Sequence, residues 1–330
     1  MTNSAASCLG TALQSLKRKL ETASHHLKLK ADANLTSESS FFDPVSCSPA
    51  HAIFDSANMR ESGKSNSSGT IVRQRAFILA LLSMHLNGPL HGGHQCIHSL
   101  RLGRVYNTEA HGLMHDVLSQ HRQLASYVAS EYVCPSCTPG VMYEAIGGRN
   151  VRHEVKVARV VSMREPHTWA HNLLLTPHSS RLTPRPTTHQ DLQRISFRDE
   201  SLDMVISAEV FEHVPDPYRA HREIFRVLAP GGSHVFTVPA DINPAANDTR
   251  LSMIDGEGKL WHRDSVTGFD KPPLYHGDPM HPKDGILVFT IFGARQMLER
   301  LCAIGFHVKV QLILNKRHGV QVPGPGGVEV

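Results

Sequence analysis

The chain has 330 residues, of which 40% are hydrophobic, so it is long enough for one domain of about 200 residues and additional segments. It contains no run near the roughly 18 apolar residues of a membrane helix, and its first residues lack the pattern of a signal peptide, which predicts a cytoplasmic protein without a membrane span. The net charge of +4 lies within residues 155–190, the remainder being neutral overall, and therefore indicates no nucleic-acid partner.

The first part of the chain, residues 1–70, is rich in serine, asparagine and alanine. Leu9 to Leu29 has leucines at helical spacing and could form an amphipathic helix, although this composition is also typical of a disordered tail. We therefore expect a tail that is largely disordered or helical, with Ser62 to Gly69 as a linker. The folded domain is expected over residues 71–330.

The six cysteines are scattered along the chain, and a protein of this size needs no disulfide framework. Cys134 and Cys137 form a single C-x-x-C motif. A surface loop with two thiols fits this motif best, because no second pair of cysteines is present to complete a zinc site. Half of a zinc site and a redox pair are the alternatives.

The first half of the domain has the pattern of a parallel sheet. Arg73 to Met84 predicts an apolar helix before the sheet, Arg104 to Glu109 a first strand, and Tyr127 to Glu131 a second strand that also ends in an acid. The turn after the first strand contains a single glycine, Gly112, and leads into a short helix. Strand, turn, helix and strand in this order predict two parallel neighbours.

An irregular segment interrupts the pattern after Val151 to Glu154, which looks like the start of a third strand. The next 36 residues, Val155 to Gln190, contain four prolines and no convincing periodicity, which favours an insertion that does not belong to the fold. Joining Glu154 directly to Asp191 gives the continuous segment VRHEDLQRISF. We therefore predict an insertion at 155–190, and a retained intron is one origin for it.

The most regular stretch of the chain is residues 191–239. Leu202 to Ser207 predicts a buried strand, and apolar residues from Ala220 to Leu228 predict a helix that is stopped by Pro230 to Gly232. Val235 to Val238 predicts the next strand. Two strands joined by a helix within fifty residues form a βαβ unit, whose crossover should be right-handed.

The final part of the domain begins with a polar loop from Ala240 to Pro273. An apolar run follows at Ile286 to Phe292, and Ala294 to Ile304 predicts a helix that is ended by Gly305. Phe306 to Leu314 predicts a strand.

Four motifs in this order and spacing resemble the class I S-adenosylmethionine (SAM)-dependent methyltransferases, in particular domains of the type 11 kind. They are Asp191-Leu192 before Ile195-Ser196-Phe197, Leu202 to Ser207, Glu212 to Asp216, and Leu228 to Gly232. The resemblance implies an α/β, Rossmann-like doubly wound sheet, here without a complete last strand. It also implies transfer of a methyl group from the cofactor SAM to a small-molecule acceptor.

Two departures from the family pattern define the alternative, a catalytically inactive homologue that acts as a binding protein. The first turn has one glycine where the common motif has several, and the segment 155–190 interrupts the domain. A nicotinamide-dependent oxidoreductase of the same architecture is disfavoured, because no G-x-G-x-x-G follows the first strand.

The resemblance places the SAM site at the carboxyl ends of the strands. It implies that Glu109 and Gly112 lie near the methionine part of SAM and that Glu131 accepts hydrogen bonds from the ribose. Asp191 and Leu192 would flank the adenine. The floor beneath the transferred methyl group would be formed by Ser207, Ala208 and Glu209.

Three further residues are candidates for contacts with the acceptor. His213 could take up the proton of the acceptor, since a neutral imidazole is available near pH 7; alternatively it only shapes a loop at a helix start. His276 and Asp278 either face the acceptor or form a structured turn. We expect no bound metal, because the histidines near residue 94 lack a carboxylate partner in their pattern.

Overall fold

The computed structural model describes residues 3–27, 36–55, 62–85, 96–110, 112–121, 124–132, 137–146, 156–161, 186–263, 268, 270, 272–277, 285–311, 313 and 315–320. The chain divides into two compact units. The sheet unit consists of residues 1–9, 102–120 and 124–308, and the hairpin unit of residues 10–101, 121–123 and 309–330. Among the described residues, no helix is both long and apolar enough to cross a membrane.

The regular elements of the described residues are helices, strands and short 3-10 turns. The helices are α1 (Asn3–Leu27), α2 (Val72–His85), α3 (Leu113–Ser119), α4 (Pro217–Val227) and α5 (Ala294–Ile304). The strands before the central βαβ unit are β1 (Thr36–Asp43), β2 (Ser48–Asp55), β3 (Leu102–Asn107), β4 (Leu124–Ala129), β5 (Met142–Ile146), β6 (Lys156–Val161) and β7 (Pro186–Thr188). The later strands are β8 (Leu202–Ala208), β9 (Leu228–Thr237), β10 (Ala240–Asp241), β11 (Thr249–Arg250), β12 (Ser252–Ile254), β13 (Leu260–His262), β14 (Tyr275–His276), β15 (Ile286–Leu287) and β16 (Thr290–Gly293). The 3-10 turns are Ile97–Ser99, Phe211–His213 and Lys316–His318.

The main sheet of the sheet unit has the order β4-β3-β8-β9. Its neighbours pair in parallel, with Val105 opposite both Tyr127 and Met204. Val105, Val205 and Ile206 are wholly or almost wholly buried, because central strands of a parallel sheet are covered on both faces. The predicted α/β fold class is therefore confirmed, although β3 and β4 each begin and end about two residues earlier than predicted.

The βαβ unit of residues 202–237 forms as predicted, with a difference at the end of its helix. Asp216 caps α4, since its Oδ1 accepts a hydrogen bond of 2.9 Å from the backbone N–H of Arg219. The helix ends at Val227 and β9 begins at once with Leu228, which pairs with Leu202. The Pro-Gly-Gly sequence that was expected to stop the helix lies instead in an irregularity at the start of β9.

The described residues at both ends of the predicted insertion form β-strands, namely β6 and β7. β5 pairs antiparallel with β6 on one side and with β7 on the other. Thr188, His189 and Gln190 are buried, and His189 forms a parallel bridge with Glu131. These three residues belong to the fold, because they are hydrogen-bonded to Glu131, Gly140 and Val141. The strand predicted at 151–154 and residues 162–185 lie outside the described residues.

The carboxyl-terminal part of the sheet unit contains the predicted helix α5 but not the predicted strand after it. Gly305 follows α5 with a φ of 122°, a conformation that favours glycine. The residues described between 306 and 313 form no strand. Phe306 packs edge-on against Phe225 of α4, with the ring centroids 5.0 Å apart. Its apolar side chain is therefore covered by a helix and not by a neighbouring strand.

The hairpin unit contains a β-hairpin that the sequence did not indicate. β1 and β2 pair antiparallel over eight residues each, with Phe41 and Phe54 buried. Arg75 of α2 is wholly buried, donates from Nη2 to the carbonyl oxygen of Gly319 at 2.8 Å and lies over the ring of Phe41. Asp43 accepts a hydrogen bond of 2.5 Å from Ser68 Oγ, so the predicted linker 62–69 packs against the hairpin.

Two disulfide bonds join described residues and correct the expectation for the cysteines. Cys8 pairs with Cys302 in the sheet unit, with the Cα atoms 5.9 Å apart. Cys47 pairs with Cys96 in the hairpin unit, with the Cα atoms 5.2 Å apart. The pairing was not predictable from sequence spacing, since the partners are 294 and 49 residues apart. Cys137 of the C-x-x-C motif is also disulfide-bonded, so the predicted loop with two thiols is wrong; Cys134 lies outside the described residues.

Candidate active site

The carboxyl ends of three parallel strands meet at one edge of the main sheet. Asn107 at the end of β3 is opposite Ala129 of β4 and Ile206 of β8. The register continues one residue further, because the N–H of Thr108 donates to the carbonyl oxygen of Ile206 at 3.0 Å and that of Ser130 to the carbonyl oxygen of Asn107 at 3.2 Å. The turns that follow these strands therefore begin side by side, at the edge where open α/β sheets bind ligands.

The turn after β3 contains two predicted residues, Glu109 and Gly112. The backbone N–H of Glu109 donates to Oδ1 of buried Asn107 at 3.3 Å, which fixes the start of the turn. Gly112 caps α3 with a φ of 100°, and a Cβ atom added there would meet no atom within 4 Å. The backbone conformation, and not a lack of space, therefore requires glycine at this position.

Glu131 connects the turns that follow β3 and β4. Its Oε1 accepts a hydrogen bond of 2.8 Å from the backbone N–H of Ala110. Its own N–H donates to the carbonyl oxygen of Thr188 at 3.0 Å, and its carbonyl oxygen accepts from the N–H of Gln190, also at 3.0 Å. A single carboxylate thus lies between the first turn and the chain that leads to Asp191.

Asp191 begins a tight turn beside the end of β4. Its Oδ1 accepts a hydrogen bond of 2.8 Å from the backbone N–H of Gln193. Tyr132 lies close by: partial burial raises its pKa, and the charge of Asp191 adds to that shift. Tyr132 is 56% exposed as a residue, and its ring lies 5.3 Å from the ring of His189. The sequence reasoning missed this aromatic residue, although it directly follows Glu131.

Leu192 is only 7% exposed and belongs to the core cluster that contains Tyr106, Ile195 and Phe211. Its contact with adenine stays a prediction, and its packing in the core is what the structure shows. Leu192 also anchors the Asp191 turn, because the buried leucine fixes the chain next to the carboxylate.

The end of β8 contains the residues expected at the floor of the site. Ser207 is wholly buried, and its Oγ lies 2.9 Å from Nε2 of His234. Ala208 is 8% exposed. Glu209 follows with a φ of 59°, which is uncommon for a residue other than glycine and occurs often at functional sites. The side chain of Ser207 is therefore engaged inside the domain, while the backbone turns sharply at Glu209.

The 3-10 turn after β8 brings His213 and His276 together. Nδ1 of His213 lies 2.8 Å from the carbonyl oxygen of Leu287 and must carry the proton, since a carbonyl only accepts. Nε2 of His213 and Nδ1 of His276 are each 3.7 Å from Oε1 of Glu212, which is wholly buried. Glu212 was not among the predicted site residues. Asp278 lies outside the described residues.

Residues 174–236 match a family model described as a methyltransferase domain. The matched segment contains β7, β8, α4 and all but the last residue of β9. It begins inside the predicted insertion 155–190, so the resemblance to the family extends upstream of Asp191.

Matching curated proteins include uncharacterized methyltransferases of two Mycobacterium strains, KMS and MCS. Each is 42% identical to this chain over 70 residues, which are 21% of this chain and 28% of the relative. The chain thus spans little more than a quarter of the length of these relatives.

Among solved structures, a SAM-dependent methyltransferase from Mesorhizobium loti is 16% identical, with a TM-score of 0.31 over 63% of this chain and 76% of that chain. One from Methanosarcina mazei is 12% identical, with a TM-score of 0.30 over 62% of this chain and 80% of that chain. Similarity at this level carries no argument about function. The segment 174–236 is thus similar to a methyltransferase domain, and it contributes β8 and nearly all of β9 to the parallel main sheet.

Proposed function

We propose that this protein transfers a methyl group from SAM to a small-molecule acceptor. The observation that carries the proposal is the convergence of three strand ends at one sheet edge, where Ala110, Glu131 and Gln190 are joined by hydrogen bonds. Ligands of open α/β sheets bind at this edge, and the turns there present a left-handed glycine, two carboxylates and an exposed aromatic ring.

The two carboxylates have separate roles in the proposed SAM site. Glu131 accepts hydrogen bonds from the ribose hydroxyl groups, because it follows β4 at the sheet edge and its charge strengthens such bonds. Asp191 accepts from the adenine amino group, and the exposed ring of Tyr132 offers a stacking surface beside it. Gly112 has no side chain to obstruct the approach of the methionine part to the first turn.

Bound SAM would supply an electrophilic methyl group, and the residues of the chain would align the acceptor with it. Alignment of two reactants at close approach provides a large part of the rate enhancement. His213 and His276 lie after the end of β8 and are the described candidates for the acceptor side of the site. Their rings are 5.4 Å apart between centroids and nearly perpendicular.

Calorimetric titration of the full chain with SAM, S-adenosylhomocysteine and NAD tests the proposed cofactor. We expect one site for SAM and for S-adenosylhomocysteine and no binding of NAD. A protein that binds SAM but releases no S-adenosylhomocysteine with any member of a metabolite library would be the inactive binding protein. Binding of NAD alone would overturn the proposal.

Two conservative variants test the assigned carboxylates. Glu131→Gln keeps an acceptor for Ala110, and Asp191→Asn keeps one for Gln193, so each mainly removes a charge. Losing one charge-assisted hydrogen bond costs about 1.5–3 kcal/mol, or roughly 10- to 150-fold in the dissociation constant of SAM. Glu257→Gln, at an exposed position, is the matched control. Unchanged SAM affinity in both variants, with unchanged circular dichroism, would contradict the assignment.

A further inference from the structure

Glu212, His213 and His276 form a compact group of potential metal ligands, named here the His–Glu cluster. Each residue offers one ligand atom, and these atoms all lie within 4.8 Å of one another. Glu212 is wholly buried, the side chain of His213 is 9% exposed and that of His276 is 34% exposed. The cluster is thus enclosed at the carboxylate and open to solvent at one imidazole.

The distances in the cluster fit a shared cation better than direct hydrogen bonds. Oε1 of Glu212 lies 3.7 Å from both imidazole nitrogens, whereas hydrogen bonds to nitrogen measure about 2.7–3.2 Å. Nitrogen and carboxylate ligands lie about 2.0–2.2 Å from Zn²⁺, so two ligands at a tetrahedral angle are separated by about 3.4 Å. Small movements of the side chains would therefore bring all three ligand atoms to bonding distance of one ion.

The backbone around the cluster orients its side chains. The bond from Nδ1 of His213 to the carbonyl oxygen of Leu287 directs the lone pair of Nε2 towards Glu212, and metal-binding histidines commonly have their second nitrogen fixed in this way. β15, which contains Leu287, pairs with β14, which contains His276. The N–H of Phe289 donates to the carbonyl oxygen of Glu212 at 2.7 Å. One short segment therefore holds all three residues in place.

We propose that the His–Glu cluster binds a divalent transition-metal cation of the Zn²⁺ class. Two imidazoles favour zinc, copper, iron or nickel, whereas magnesium and calcium prefer oxygen ligands. A set of two histidines and one glutamate is a ligand set of catalytic zinc sites, which leave a position open for water or substrate. The proposal departs from the expectation of no bound metal, because the short turn and β14 unite residues that are about 60 positions apart in the sequence.

The test uses the full-length protein after treatment with a chelator. Co²⁺ is added and its visible absorption followed, and Zn²⁺ binding is measured by calorimetry. We expect a Co²⁺ spectrum of a site with nitrogen and oxygen ligands, displaced by one equivalent of Zn²⁺. Tighter binding of Mg²⁺ than of Zn²⁺ in the same titration would overturn the proposed class of ion.

Three variants locate the site, namely Glu212→Gln, His213→Ala and His276→Ala. Each should weaken Zn²⁺ binding by more than the roughly 10- to 100-fold that loss of an outer-shell partner causes. His307→Ala and Glu257→Gln, at exposed positions, should bind as the parent does. His276→Ala keeps the proposal testable if the buried variants fail to fold. Parent-like Zn²⁺ binding by folded His276→Ala, or no Co²⁺ spectrum with the parent, would overturn the proposal. Because metal binding is measured without SAM, it stands or falls separately from methyl transfer.

Discussion

His221 of α4 is buried, and among the described residues neither of its ring nitrogens has a hydrogen-bond partner. Its ring stacks on that of Phe211, with the centroids 4.1 Å apart. Burial, and secondarily the neighbouring His234, lowers the pKa of His221 well below its ordinary value. The pKa of His234 is itself lowered by burial to about 3. Both histidines are therefore neutral in the folded protein near pH 7.

These histidines predict a loss of stability in mild acid. The unfolded chain protonates a histidine near pH 6.5, whereas the folded protein does so only at much lower pH, so the unfolded state binds more protons in between. The stability is complete above about pH 6.5 and falls below it, by up to about 1.4 kcal/mol per pH unit for each group. In the variant His221→Phe, the free energy of unfolding should depend less steeply on pH, because one of the two histidines no longer contributes. Urea unfolding between pH 5 and pH 7 measures this dependence.

His307→Ala, at an exposed position, serves as the control for this experiment and should leave the slope unchanged. If His221→Phe keeps the slope of the parent, His221 is protonated equally in both states and the interpretation of its burial is wrong.

Sequence reasoning located some residues of the candidate site and missed others for physical reasons. Glu131 follows β4 at the edge of the parallel sheet and is bonded to Gln190, which precedes Asp191, so the sequence placed these two acids close along the fold, while their contacts with SAM stay predictions. Glu212 was missed, since its burial depends on contacts between the 3-10 turn and the segment around Phe289, which no local pattern encodes. Tyr132 was missed because an exposed aromatic ring leaves no periodic signal.

At the level of elements, the segment 155–190 is the part that differs most from expectation. Four backbone hydrogen bonds join its last residues to the domain, two with Glu131, one with Gly140 and one with Val141. Joining Glu154 to Asp191 would remove all four. We therefore expect deletion of 155–190 to lower the free energy of unfolding by about 2–6 kcal/mol, whereas deletion of an insertion foreign to the fold would leave it unchanged or raise it.

A second variant separates the described ends of the segment from its interior. Val161 and Pro186 lie on opposite sides of β5 and two residues apart along it, which separates them by about 12 Å, so about six Gly-Ser residues in place of 162–185 suffice to connect them. This replacement keeps β6 and β7 and should be less destabilising than the full deletion in thermal unfolding. Equal stability of the parent and the full deletion would restore the interpretation as an insertion foreign to the fold.

The predictability of the elements followed the strength of their patterns. β8, α4 and α5 were predicted because a continuous apolar run or a helical repeat spans each of them. The β1–β2 hairpin was missed, since its strands are rich in serine and only one face, with Phe41 and Phe54, is apolar. The strand expected after Gly305 was wrong, and Phe306, the first of the alternating apolar residues there, packs on Phe225 of α4.

At the scale of the whole molecule, the disulfide bonds Cys8–Cys302 and Cys47–Cys96 predict sensitivity to reducing agents. A disulfide that closes a long loop stabilises a protein by about 2–4 kcal/mol, mainly by restricting the unfolded chain. Reduction should therefore lower the midpoint of thermal unfolding, and Cys302→Ser, which removes only the bond to Cys8, should show part of this lowering without a reductant. Peptide mapping under non-reducing conditions checks the pairing itself. If alkylation of the native protein labels Cys8 and Cys302 completely, the bond is absent.

The bond between Cys8 and Cys302 also makes nearly the whole polypeptide a closed ring, because the two residues are 294 positions apart. A single cut by a protease anywhere between them opens the ring but releases no fragment. Such a nicked molecule would run as one band on a non-reducing gel and as two bands after reduction. Loss of mass under non-reducing conditions would therefore record cuts outside the ring or a second cut within it.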